Sequence, residues 1–102
     1  MGTVSGTNIS FGSEVVFNSN TTNQISAVFD TANNKVVIAY FALNNSSYGT
    51  AIVGTISGTA ISFGSQVVFN AASTHHVSAV FDSANGKVVI GYTDQGNSYY
   101  GT

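Results

Sequence analysis

Short runs rich in Val, Ile, Phe and Tyr recur along the chain between segments of Gly, Asn, Asp and Ser, and successive side chains within them alternate between two faces. The first four are Ile9–Phe17, Ile25–Phe29, Lys35–Phe41 and Tyr48–Ile56. Runs this short, bounded in this way, predict β-strands. Val, Ile, Phe, Tyr and Thr fill them, and strong helix formers other than Ala are scarce. Gly12-Ser13 places a kink in the first run. Tight turns are expected at Asp30–Lys35, Asp82–Lys87, Ser5–Thr7 and Ser57–Thr59. In the second of these, Asn85-Gly86 tolerates the positive φ that a hairpin turn needs, and Asp30 and Asp82 can accept bonds from turn amides. All connections are short, so neighbouring strands are expected to be antiparallel.

The same runs return later as Ile61–Phe69, Val77–Phe81, Lys87–Thr93 and a stretch opening at Tyr100. Gly2–Thr50 aligns without gaps on Gly54–Thr102, 52 residues on, and 32 of 49 aligned pairs are identical. That level excludes coincidence and marks a repeat. The expected units are residues 1–53 and 54–102, each a four-stranded antiparallel meander. Alternation puts Val36, Ile38 and Tyr40 on one face and Val37, Ala39 and Phe41 on the other. A sheet apolar on both faces must be covered on both, and the simplest cover is another copy of itself.

Four-stranded antiparallel repeats of this length, stacked face to face, are the blades of β-propellers. The run HVSAVFDSANGKVVIGY (His76–Tyr92) resembles an inner strand, turn and second strand of such a blade. The chain carries no Trp-Asp pair, kelch double glycine or Asp-box. In architecture, not motif, it resembles the tachylectin-like and related propeller lectins. That resemblance implies an all-β propeller, two blades per chain, and a lectin-like role. The competing architecture is an elongated β-array or solenoid. Both ends fall in one strand: YYGT at the end and MGTVSG at the start nearly rebuild the sequence around Gly49–Ser57. The expectation is a ring closed by homo-oligomerisation, a six-bladed trimer ahead of a dimer or tetramer, with the blade at each seam shared between chains.

Composition narrows the function. Only 6% of residues are charged, against roughly 25% in ordinary globular proteins, so solubility rests on Asn, Ser, Thr, Gln and Gly. That pattern favours an extracellular, virion or cell-surface setting for the parent protein. Two lysines and no arginine make no basic patch, so no nucleic-acid partner is expected. No basic amphipathic helix and no long apolar run point to a membrane. There is no cysteine, hence no disulfide or thiolate site. The opening MGTVSGTNIS has neither the basic start nor the apolar core of a secretory leader.

Side chains for chemistry are few. Glu14, Asp30, Asp82 and Asp94 are the acids, and His75 and His76 the only histidines. Asp30 and Asp82 stand at the same repeat position and read as turn caps. Glu14 is Gln66 in the other copy, as an exposed position would be. In extended chain the rings of His75 and His76 point to opposite faces, so neither a metal site nor any other cofactor is expected, and no acid–base pair suggests an enzyme. Differences between the copies cluster instead in two links, Ser19–Gln24 against Ala71–His76 and Phe41–Ser47 against Thr93–Tyr99. In a meander, alternate links share one end of the sheet. Loops that vary on a constant scaffold suit binding. The expected contacts are Asn23, Gln24, Asn44 and Asn45 in one copy and His75, His76, Asp94, Gln95, Asn97 and Tyr99 in the other. Amides and a carboxylate there can bond sugar hydroxyls, and aromatic rings can stack on sugar faces. The expected function is non-enzymatic, multivalent glycan recognition. The alternative is a structural or engineered repeat element without a ligand, of the phage-fibre or surface-array kind.

Overall fold

A computed structural model describes every residue from Met1 to Thr102. β1 (Gly2–Ser5) and β2 (Asn8–Phe11) form a hairpin in which Gly2 faces Phe11. β3 (Thr22–Asp30), β4 (Lys35–Ala42) and β5 (Tyr48–Ser57) follow as an antiparallel meander. The far edge of β5 is covered by two successive segments. β6 (Ala60–Phe63) pairs with Gly54–Ser57, and the start of β7 (Val67–Asp82) pairs with Tyr48–Ala51. The rest of β7 leaves that edge and pairs with β8 (Lys87–Asp94), which pairs in turn with β9 (Tyr100–Gly101). The chain is all-β, and its antiparallel sheet is curled. Every ladder is antiparallel, so the parallel rungs of a solenoid are absent.

Two strands differ from expectation for one reason: a strand needs a neighbour. Val67–Phe69 extends because Tyr48–Ala51 lies beside it. The identical Val15–Phe17 has no such neighbour and is irregular, so β2 stops at Phe11. Conversely, Ala71–His76 is not a loop. β7 runs unbroken through it, passing from β5 to β8 with a bulge between His75 and Ser78.

The core sits on β4. Ile38, Tyr40 and Ala42 cluster with Ile52 of β5, and Phe17, Val36 and Phe63 pack against them. Ala39 and Phe41, on the opposite face of β4, are buried as well, so the strand is covered on both sides as its pattern required. Phe17 meets the Tyr40 ring edge-on at 5.1 Å, and Phe69 stands the same 5.1 Å from Tyr92. Polar contacts repeat too. Asn18 Nδ2 donates to Thr22 Oγ1 as Asn70 Nδ2 does to Thr74 Oγ1. Burial does not repeat: Tyr40 is fully enclosed, whereas Tyr92 is half-buried.

Asp30 and Asp82 cap their turns. Asp30 accepts from the amides of Ala32 and Asn33 and from Asn33 Nδ2, and Asp82 accepts equivalently from Ala84 and Asn85. The bond from the Asn side chain, with the amide bonds, holds each carboxyl below its ordinary value of 3.8 despite partial desolvation. A carboxyl lowered on folding stabilises the native state above its unfolded value, and that contribution is lost as pH falls through the lowered one. Stability should therefore decline below about pH 4. Denaturation series at pH 7 and pH 3 should show the decline shrinking in Asp30→Asn/Asp82→Asn. An unchanged decline would assign the acid sensitivity to other groups.

Candidate recognition surface

Antiparallel pairing brings the variable segments to one end of the sheet and the near-identical turns to the other. At the turn end, a Cβ on Gly86 would lie 3.6 Å from Ala32 Cβ, so the two Asp-capped turns are neighbours. At the opposite end four segments line up in a row. Leu43 N donates to Thr21 O at 3.1 Å, tying Thr21–Gln24 to the link after β4. Thr74 N donates to Ser47 O at 2.9 Å, tying that link to Ser73–His76. The 3₁₀ turn Gln95–Asn97 closes the row, with Gly96 so near Ala72 that a Cβ there would stand 2.7 Å from the alanine methyl. Copy one has Asn44 at the position of Gly96.

The row has an unusual backbone. Seven non-glycine residues adopt positive φ, and six of them lie here: Gln24, Ser46, Ser47, His76, Ser98 and Tyr99. The left-handed region costs an L-residue about 1–2 kcal/mol. Gln24 and His76 occupy the same repeat position with φ of 53° and 52°, each inside a bulge. Bulges re-aim side chains, and strained backbone gathers at functional sites. Gln gives no signal of this conformation and His only a weak one, so the residue types did not announce it.

The nominated residues divide by surroundings. Asn23, Gln24, Asn44, His76, Gln95, Asn97 and Tyr99 are exposed, while Asn45, His75 and Asp94 are half-buried. His75 is held between Phe41, whose ring lies 5.4 Å away edge-on, and Ser73 Oγ, 3.3 Å from Nε2. The left-handed turn at His76 breaks strand alternation, and the two imidazole centroids lie 6.4 Å apart instead of standing on opposite faces of an extended strand. Asp94 accepts from Gly96 N at 2.9 Å, capping the 3₁₀ turn that Ala42 leaves without a side-chain cap in the other copy. Gln95 Nε2 donates to Tyr99 Oη at 2.8 Å, orienting an exposed phenol ring. Asn23 and Gln24 stand at one extreme of the row and Gln95, Asn97 and Tyr99 at the other, so one small ligand would meet neighbouring segments, not all four.

The row is a surface, with no cavity opening on it. No group of three or more His, Asp or Glu side chains stands together. No helix is long and apolar enough to cross a membrane. No protein family, curated protein or solved structure matches the chain.

Proposed function

We propose that the chain is a β-propeller recognition scaffold: two blades per chain, a ring completed by self-association with six blades favoured, and non-enzymatic, lectin-like glycan binding along the variable end. One observation carries this reading. The two copies keep their Asp caps and nearly keep their turns, while most of their differences gather at one end, where the left-handed backbone positions also lie. Drift alone leaves unexplained why the Asp-capped turns changed only from Thr31 to Ser83 and from Asn34 to Gly86. Exposed amides at Asn44 and Asn97, with an oriented phenol at Tyr99, supply in-plane hydrogen bonds and a stacking face. Such contacts suit shallow polar ligands, and repetition around a ring converts weak sites into avidity.

The copies differ in side chains, so successive sites should differ in strength, the one with Tyr99 and two histidines binding more tightly. Glycan-array binding should weaken in Tyr99→Ala by roughly fivefold per site, as expected for about 1 kcal/mol of lost stacking. Binding that survives this change, or a ligand seated at the Asn33-Asn34 or Asn85-Gly86 turns, would move the site elsewhere. The large exposed apolar surface, including Val4, Phe11 and Val16, favours a second reading. In it the chain is a purely structural assembly element of the phage-fibre or surface-array kind. A well-folded ring that binds nothing across a broad array would select that reading.

A further inference from the structure

β4 is paired on both sides and enclosed, whereas its repeat equivalent β8 has β7 on one side and only the two residues of β9 on the other. Along β4, Lys35 and Val36 face Thr55 and Gly54 of β5. Along β8 the equivalents Lys87 and Val88 face β7 alone. The residues matching Thr55 and Gly54 are Thr3 and Gly2 of β1, which pairs only with β2. Each open edge therefore has its complement in the same sequence, but at the far end of the chain.

We infer that β1 of a second copy pairs antiparallel with β8, with Thr3 opposite Lys87 and Gly2 opposite Val88. The 52-residue offset turns each contact inside the chain into a contact across this seam. Lys35 Nζ donates to Thr55 Oγ1 at 2.9 Å, so Lys87 Nζ donates to Thr3 Oγ1 of the second copy. Tyr40 Oη donates to Gln66 Oε1 at 3.0 Å, so Tyr92 Oη donates to the Glu14 carboxylate of the second copy. Phe63 lies 5.9 Å from Phe17, so Phe11 of the second copy settles on Phe69. Ala79 N donates to Ser26 Oγ at 3.0 Å, so Ala27 N of the second copy donates to Ser78 Oγ. The exposure of the free surfaces agrees. Phe63 is half-buried, whereas Phe11 is 75% exposed and Val89 and Val4 stand bare.

Among these four contacts, Glu14 is the one residue that differs from its internal counterpart, Gln66. A carboxylate accepts only, and the tyrosine hydroxyl it meets is a donor, so the exchange of Gln for Glu keeps the bond. This inference rests on the self-association in the proposed function and not on its ligand.

The chain lacks cysteine, which permits a direct test. Opposite residues of an antiparallel pair lie about 4.5–5.5 Å apart, within the roughly 4.4–6.8 Å between Cα atoms that a disulfide spans. Thr3 and Lys87 are exposed in the single chain, so cysteines there leave its fold intact. Under mild oxidation Thr3→Cys/Lys87→Cys should shift on a non-reducing gel from 10.5 kDa to a ladder ending at one closed species. A mixture of the two single variants should stop at a dimer. Lys35→Cys/Thr55→Cys, the equivalent pair inside the chain, serves as the control by loss of free thiol without a change in mass. A double variant that stays at 10.5 kDa while the control oxidises overturns the seam. An oligomer by light scattering without cross-linking overturns this register while leaving self-association standing. Cross-linking without glycan binding keeps the seam and removes the recognition reading. Phe11→Asp, at an exposed position, should abolish the oligomer without unfolding the chain; an unchanged mass counts against the seam.

Discussion

Replacing Tyr40 with alanine is expected to cost about 3–5 kcal/mol, a large share of the roughly 5–15 kcal/mol that holds a domain folded. The ring is fully enclosed at the centre of the Ile38–Ala42–Ile52 cluster, touched edge-on by Phe17 and anchored by its hydroxyl on Gln66. Truncation removes the apolar surface, leaves a cavity and breaks the bond to Gln66 together. Burial also raises the phenol pKa, so the hydroxyl stays neutral and donates throughout ordinary conditions. Urea titration of the purified variant measures the cost. The informative comparison is Tyr92→Ala, the same substitution one repeat later. In a free chain Tyr92 is half-buried, and its loss should cost distinctly less. In an assembled ring the two costs should converge, and the cost at Tyr92 should rise with protein concentration, because association adds to apparent stability by mass action. Equal and small effects at both positions would displace the core from β4.

Gly49→Ala is the second large expected effect, at about 1–3 kcal/mol from overpacking. A Cβ there would fall 2.7 Å from Phe69 Cζ and 2.9 Å from Thr74 Oγ1. Phe69 is already committed to Tyr92, and Thr74 is fully buried with its hydroxyl bonded to Ala72 O and Asn70. Neither can yield without breaking the passage of β7 from one neighbour to the next. The equivalent Gly101 has nothing within 4 Å, so Gly101→Ala should leave the thermal midpoint of a free chain unchanged. If a second copy completes that strand, the same methyl meets its Phe17, and the oligomer weakens while the chain itself stays folded. A Gly49→Ala protein with wild-type stability would show that the strand crossing is looser than these contacts imply.

Both comparisons use the repeat as an internal control, and they show where sequence was enough. The β-strands at Ile25–Phe29, Lys35–Phe41 and Tyr48–Ile56 were legible because short runs rich in β-branched and aromatic residues lie between segments of turn residues. The Asp-capped turns were legible because Asp ends each strand just before Asn-Asn or Asn-Gly, where its carboxylate can accept turn amides; the added bond from the Asn side chain was seen only in the structure. The candidate surface was legible only as a location. Copy differences pointed to one end of the sheet, but not to the left-handed backbone at Gln24 and His76, nor to the bond between Gln95 and Tyr99. Those depend on bulges and turns whose conformation is set by pairing across strands, and residue type does not encode it.

The amino-acid order by itself determined the all-β class, the antiparallel sense of neighbouring strands, the 52-residue period and the need to cover both faces of Lys35–Phe41. Each follows from interactions within a few residues, or from a pattern that repeats. Tertiary structure alone decided which copies of the same words become strand or core. VVFN extends at Val67–Asn70 and does not at Val15–Asn18; Ile38 is buried and Ile90 only half so. The residues are the same and the neighbours differ. Hydrogen-bonded pairing and apolar burial belong to the pair of surfaces that meet, and a surface carries no record in its own sequence of whether its partner is present.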